Sequence, residues 1–257
     1  LLDANLVIQS VEFQRAPRTF DNGRTQTFVA VENEAIPLPV PQIAYSSDFG
    51  LKEFHFALGI YGPNGANSKY PEDGPQRYTI VDTEGSLIFS QQFAVAWEPQ
   101  PWLRVGAALI NHTFILKRVV VLSTYPGFVG DQEDEEFDAL LVTEANVPLN
   151  ISGMLGAWGR IPGGIELGAS FMLPTHIEDD STVVKQRLPS HPLFDDSSVV
   201  GSTLKTSFDL PAFTRIGARY VRPTWDIELD FVYESHSSFQ KIRTTPNDIS
   251  VTGIPGI

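Results

Sequence analysis

Two strictly alternating stretches, within residues 208–221 and 225–242, constrain this chain more than any other feature. From Trp225 onward one face carries Trp225, Ile227, Leu229, Phe231 and Tyr233, and the other carries Asp226, Glu228, Asp230 and Glu234. Successive side chains of a strand point to opposite sides. An unbroken apolar row behind an acidic row is therefore the pattern of a strand with one side against lipid or a core and the other against water. The preceding stretch places Thr214, Ile216, Ala218 and Tyr220 on one face and Arg215, Gly217 and Arg219 on the other. Joined by a tight Arg222-Pro223 turn, the two pair with Tyr220 opposite Trp225, Ala218 opposite Ile227 and Ile216 opposite Leu229. The same register sets Arg219 against Asp226 and Arg215 against Asp230. One register satisfies both faces, so the unit reads as a hairpin.

Composition narrows the class. With 42% hydrophobic residues, 19 Pro and 20 Gly in 257 residues, the chain is neither disordered nor built of helical repeats. No run of 18 apolar residues offers a transmembrane helix, which leaves membrane strands open, because their signal is much weaker. A net charge of −13 opposes binding to nucleic acid and to anionic lipid surfaces. The absence of cysteine removes disulfides and thiolate metal sites, and it suits a chain that crosses an oxidising periplasm. The chain opens at Leu1-Leu2-Asp3 and closes at Ile257 just after a strand, so it reads as a fragment or a processed product.

Strand-like runs cover roughly 4–14, 38–47, 54–61, 87–97, 102–122, 139–158, 164–173, 204–221 and 225–242. Their connections alternate between short (Ser47 to Glu53, Glu98 to Pro101, Gly159 to Gly163, Arg222 to Thr224) and long (about 15–37, 62–86, 123–138 and 174–203). Regular alternation puts every second strand end on the same side. This is the layout of an antiparallel up-and-down meander, and outer-membrane barrels have it with tight inner turns and long outer loops. The expected fold is all-β, a transmembrane β-barrel forming one domain over 1–257. All four tryptophans (Trp97, Trp102, Trp158 and Trp225) fall beside short turns, with Tyr220, Phe49 and Phe54 at the same end. Aromatic residues collected at one end of every hairpin are what a membrane–water interface requires. Two runs fit less well. Residues 102–122 are apolar on both faces at Ala107-Ala108 and Val119-Val120-Val121, and Pro148 interrupts 139–158 at a depth that places it near the outer rim.

The stretch Leu210-Pro211, Ile216-Gly217-Ala218-Arg219-Tyr220, Trp225-Asp226-Ile227, Tyr233 and Ser237-Ser238-Phe239 resembles the outer-membrane long-chain fatty-acid transporters of the FadL type and their aromatic-hydrocarbon relatives. His236 stands where that family usually has Trp. Ala96-Trp97, Trp102 to Ala107, Leu58 to Gly65, and Asn150 to Trp158 with Gly164 to Ser170 are similar to further family segments, so the resemblance spans roughly 38–245. It implies a fourteen-stranded barrel plugged by an N-terminal hatch, passing hydrophobic molecules from an outer groove to a lateral opening in the wall. The family's Asn-Pro-Ala hatch signature is absent from this sequence, and nine strands of the fourteen are present. In that family a kink in the third strand opens the wall sideways. Here the third strand runs into Gly62-Pro63-Asn64-Gly65, where Pro63 removes a ladder donor and glycines widen the allowed backbone. Gly59, Gly62, Pro63 and Gly65 therefore read either as the start of a long outer loop or, by the resemblance, as the place of the opening.

Signals for catalysis are thin. His55, His112, His176, His191 and His236 lack any metal-ligand spacing, and no GxSxG, Walker or GxGxxG motif occurs. Residues 131–138 pack six acids into eight positions. They read as a solvated loop, with divalent-cation bridging to lipopolysaccharide as the functional alternative. Asp226, Glu228 and Asp230 could pass for glycosidase carboxylates, but with Arg215 and Arg219 opposite they read as lumenal ion pairs. No enzyme, catalytic residue, metal or cofactor is expected. The expected function is passive uptake of fatty acids or hydrocarbons by a monomer in the bacterial outer membrane, with membrane lipid and lipopolysaccharide as surroundings. Tyr125, Phe128, Phe137 and Phe194 are the expected contacts at the mouth. The alternative is a soluble or surface-attached β-sandwich binding module that uses the long loops. An acid–base hydrolase based on Asp226 or Glu228 is a third reading.

Overall fold

The computed structural model describes residues 1–20, 23–237 and 241–254. Ser238 and Phe239 of the last motif lie outside the described residues. Thirteen hydrogen-bonded segments form one sheet and lie along nine strands. These are β1 (Leu2–Val7), β2 (Leu38–Ser47), β3 (Phe54–Ala66), β4 (Ser86–Gln100) and β5 (Leu103–Ser123). Four interrupted strands follow: β6 (Asp138–Val147, Ile151–Ile161), β7 (Ile165–Met172, Thr175–Arg187), β8 (Thr203–Leu210, Phe213–Val221) and β9 (Asp226–Glu234, Arg243–Pro246). Each strand pairs antiparallel with its neighbours in sequence. The up-and-down meander expected from the loop lengths is therefore the fold. Among the described residues β1 and β9 do not pair with each other, so the sheet has two free edges.

The pleat sorts side chains by face. Through the cross-strand register, Ser46, Ala57, Ala94, Ala108, Arg104, Glu166, Arg219 and Glu228 share one face, here called inner. The other face carries Tyr45, Leu58, Phe93, Leu109, Leu155, Leu167, Ile216 and Leu229, all exposed. Apolar residues outside and small or polar residues inside reverse the arrangement of a water-soluble sheet.

Pro148, Pro174 and Pro211 occupy the interruptions of β6, β7 and β8, where a residue without an N–H cannot continue the ladder. Inside and outside change parity there. Below the prolines Phe171 and Ile216 face outward, whereas above them Ile177 and Phe208 are buried, His176 is exposed and Asp209 is half-exposed. A one-residue slip is enough to exchange the faces. The upper halves of these strands thus have polar exteriors and an apolar interior, as expected of a part that stands in water.

Several expectations need correction. Residues 174–203 are not one long loop, because Thr175–Arg187 continues β7. Its alternation, with Thr175, Ile177, Thr182 and Val184 buried, is disguised by the Asp179–Thr182 bulge, which shifts the period by one. The final hairpin is shifted by two residues, with Tyr220 opposite Ile227 and Ala218 opposite Leu229. Arg222 N–H donates to the Trp225 carbonyl, so the turn includes Trp225 and the ladder starts at Val221 and Asp226. Trp158 lies three residues inside its strand and points to the inner face, because it pairs with Gly168 and Arg104 there.

Candidate functional site: the inner face and the gap beside the third strand

The inner face of the lower sheet lines an open concavity of about 740 Å³. Its floor is small and apolar, with Ala57, Ala94, Ala108, Gly106, Gly156 and Gly168 in successive strands, and charged side chains gather towards the short-turn end. Arg160 reaches Glu166 at 2.6 Å, Arg104 reaches Glu98 at 2.7 Å, and Arg219 pairs with Asp226. Trp158 stands between two guanidinium groups, Arg104 at 4.9 Å and Arg160 at 5.4 Å from its ring centroid. The Arg219–Asp226 pair expected from sequence is present. Arg215 and Asp230 do not form a pair among the described residues: the Asp230 carboxylate lies over Gly217, and Arg215 sits 5.3 Å from the Phe213 ring. The shifted register removes Asp230 from the position opposite Arg215 and puts Val232 there.

Beside β3 the wall is not fully zipped. The β2–β3 ladder ends at Ile43 and Ile60, while 38–42 continue on β1 and 61–66 continue on β4. A bulge sets Gly62 and Pro63 against Phe89 alone. The gap holds a cavity of about 110 Å³ lined by Val7, Leu38, Val40, Gly62, Gly65 and Phe89, among others. A Cβ on Gly62 would come 3.0 Å from Val40 Cγ1, and one on Gly65 would come 3.1 Å from Leu38 Cδ2. Glycine therefore lets two aliphatic side chains fill the gap. Gly59 lies below it, in the paired part of the wall, opposite Ala44 and Gln92.

The aromatic residues expected at the mouth are placed differently from one another. Tyr125, Phe137 and Phe194 come together with His191, whose ring stacks on Phe137 at 4.6 Å. Phe137 is 0% and Phe194 5% exposed, so both rings form the core under the loops, whereas Phe128 is 70% exposed. The acidic run is held by arginines. Arg15 grips Glu133 with both terminal nitrogens at 2.8 and 2.7 Å, Arg24 pairs with Asp131, and buried Arg77 binds Asp138 at 2.7 Å. Tyr78 donates to Asp138 and its phenol is pushed up to about 12, first by burial; Arg77 pulls it down and Asp138 pushes it up.

Of the histidines, sequence reasoning missed the setting of His112. It is buried, with Nδ1 2.9 Å from Ser90 Oγ and no partner at Nε2. Its place on the inner parity of β5 was the only signal. His176 contacts Asp209, His236 contacts Glu234, and His191 accepts the Leu193 N–H. Among the described residues no three or more His, Asp or Glu side chains converge as metal ligands.

No protein-family model matches the sequence, and no curated protein matches it. Solved structures match its fold. The crystal structure of a Pseudomonas aeruginosa FadL homologue superposes with a TM-score of 0.67 and 13% identity, over 97% of this chain and 62% of that one. The Ralstonia pickettii toluene transporter TbuX superposes with a TM-score of 0.56 and 17% identity, over 83% of this chain and 60% of that one. The chain thus has the fold of these barrels and spans about 60% of their length.

Proposed function

We propose that this chain forms part of the wall of a bacterial outer-membrane channel for passive uptake of hydrophobic molecules, fatty acids or hydrocarbons. The observation that carries the reading is the outer face of the lower sheet: from β2 to β9 it is a continuous exposed apolar surface, while the charges of that part lie on the inner face. In water such a face would drive aggregation, and in a bilayer it is solvated by acyl chains. Trp97 stacks with Phe54 and Trp225 packs on Tyr220 at the short-turn end, which supports an interfacial aromatic belt there. The same outer face argues against a soluble sandwich module, whose apolar sides must be covered.

Transport of this kind needs no covalent step or cofactor. The inner cavity offers a smooth Ala/Gly floor for an apolar body, and its charges pair mostly with one another. The gap between β2 and β3 is the proposed lateral exit, with Val40 and Leu38 as the side chains that must move aside. Phe128 is the best placed of the four expected mouth residues to meet a solute. Membrane lipid and lipopolysaccharide are the proposed surroundings, and the functional unit is a monomer.

The test uses the full-length protein in bacterial cells that lack their own uptake of these compounds. Detergent-dependent extraction with uptake of labelled palmitate or toluene supports the reading. A protein that stays monodisperse in plain buffer and leaves uptake at background refutes it.

A further inference from the structure

The wall has a second unzipped place, far from β3. Between β6 and β7 the ladder runs from Leu140–Glu144 against Arg187–Val183, and again from Met154–Ile161 against Met172–Ile165. Between these two stretches, 145–152 faces 174–182 without a ladder, and two hydrogen bonds mark its lower end: Leu173 N–H to the Gly153 carbonyl, and Ser152 Oγ–H to the Leu173 carbonyl. Each flank keeps its other neighbour. Ala145 to Val147 and Ile151 pair with β5, and Thr175 to Asp179 pair with β8. The result is a slot with intact wall on both sides.

The slot is built by side chains. Asn111 and Thr113 donate to the Pro148 carbonyl at 2.9 and 3.0 Å, and Asn150 N–H donates to Asn111 Oδ1, tying the β6 flank to β5. Opposite, the Asp179 carboxylate accepts from Ser181 N–H, Ser181 Oγ and Thr182 Oγ1, which holds the bulge on the β7 flank. Pro148 and Pro174 supply no donor. At the lower end of the slot, beside the apolar band, unpaired backbone is tolerated only where protein buries it or where it lines a cavity or path.

The two sides of the slot differ chemically. Leu149, Ile151 and Leu173 form an exposed apolar lip at the outer margin of the apolar band. Inside, Phe114 and Phe208 meet edge to face at 4.9 Å across the slot, beside buried Ile177, and the hydroxyls of Thr175 and Thr206 have no partner. We propose that this slot between β6 and β7 is a second lateral port, closed by the Phe114–Phe208 pair, that admits hydrophobic solutes carrying at most one small polar group. The proposal rests on the transport reading above. The lip solvates the apolar body, and a free hydroxyl, Thr175 at the slot or Thr206 further along β8, hydrogen-bonds the polar end once the phenylalanine pair parts. A dry, polar-free core would leave no reason for two buried hydroxyls without partners.

The experiment uses full-length Thr175→Cys in outer-membrane vesicles, exposed to benzyl methanethiosulfonate, with Ser90→Cys as the control. Both positions are buried, at 2% and 0% exposure, but Ser90 is laddered on both sides, opposite Tyr61 and His112, whereas Thr175 is laddered only to β8. Expected is modification of Thr175→Cys about tenfold faster than of Ser90→Cys, as local opening without global unfolding permits. Uptake of labelled palmitate should fall on modification and return after reduction. Equal modification rates, or a modified protein with unchanged uptake, would overturn the port. Should Thr175→Cys fail to assemble, Leu149→Cys with Leu173→Cys on the exposed lip, bridged by dibromobimane, makes the same test. If the unmodified protein takes up neither palmitate nor toluene, the transport reading falls, and the modification rates alone decide whether the slot opens.

Discussion

Tyr220 and Trp225 pack ring against ring, 5.7 Å between centroids, although neither is the other's strand partner. Trp225 sits in the turn, and Tyr220 is paired with Ile227. Arg219 and Asp226 likewise meet on the diagonal. Diagonal neighbours on one face are within reach of long and aromatic side chains. A shift of two residues therefore keeps every side chain on its face and replaces direct contacts by diagonal ones.

The faces of the last hairpin make the first prediction. Leu229 is 75% exposed on the outer face, and Asp230 lies on the inner face over Gly217. Leu229→Arg should cost about 2–4 kcal/mol of folding into lipid, the range for a cation on the lipid face of a barrel near the midplane. Asp230→Arg should cost far less. Urea titrations of the barrel in vesicles compare the two, and equal shifts would reverse the assigned faces.

At the β3 gap, Gly62→Val and Gly65→Val push side chains into Val40 and Leu38, whereas a Cβ on Gly59 meets nothing closer than 3.9 Å. Uptake of labelled palmitate should drop several-fold in the first two and stay near wild type in the third, with all three still folding. A uniform response across the three variants would separate the gap from transport.

Arg77 is the buried cation that holds the outer loops, with Asp138 on its Nε and the Tyr78 hydroxyl and Glu133 carbonyl on its Nη2. Arg77→Ala leaves a buried carboxylate without its partner and should cost about 3–5 kcal/mol. Limited proteolysis should then cut 67–85 and 124–137 while the lower strands resist. An unchanged digestion pattern would show that the arginine contributes little.

Tyr78 supplies a pH test. Its folded pKa of about 12 lies above the ordinary value near 10, so the neutral phenol is favoured by folding. That contribution is complete below the unfolded pKa and is lost as pH rises through the folded one. Spectrophotometric titration should leave Tyr78 un-ionised at about pH 11, after ordinary tyrosines have titrated, and Tyr78→Phe should remove one phenol from the late step. Ionisation of all tyrosines together would contradict the buried setting.

Most strand positions (the first, expected over 4–14, is Leu2–Val7), the meander and the two chemically opposite faces were legible in the sequence. They depend on a period of two and on turn residues, which are local properties. The sequence likewise marked the Arg219–Asp226 pair. The inward turn of Trp158 was not legible, because it depends on where the strand ends, and one residue of slip exchanges the faces. The upper half of β7 was hidden by its bulge, and the slot between β6 and β7 could not be read at all. Pro148 and Pro174 each look like an isolated break in their own strand, and only pairing between strands sets the two breaks side by side. Burial of Phe137 and Phe194 was decided in the same way, by loops 67–85, 124–137 and 188–202 that meet only once the sheet has formed. Alternation determines which residues can face lipid, and non-local register determines where the wall is left open.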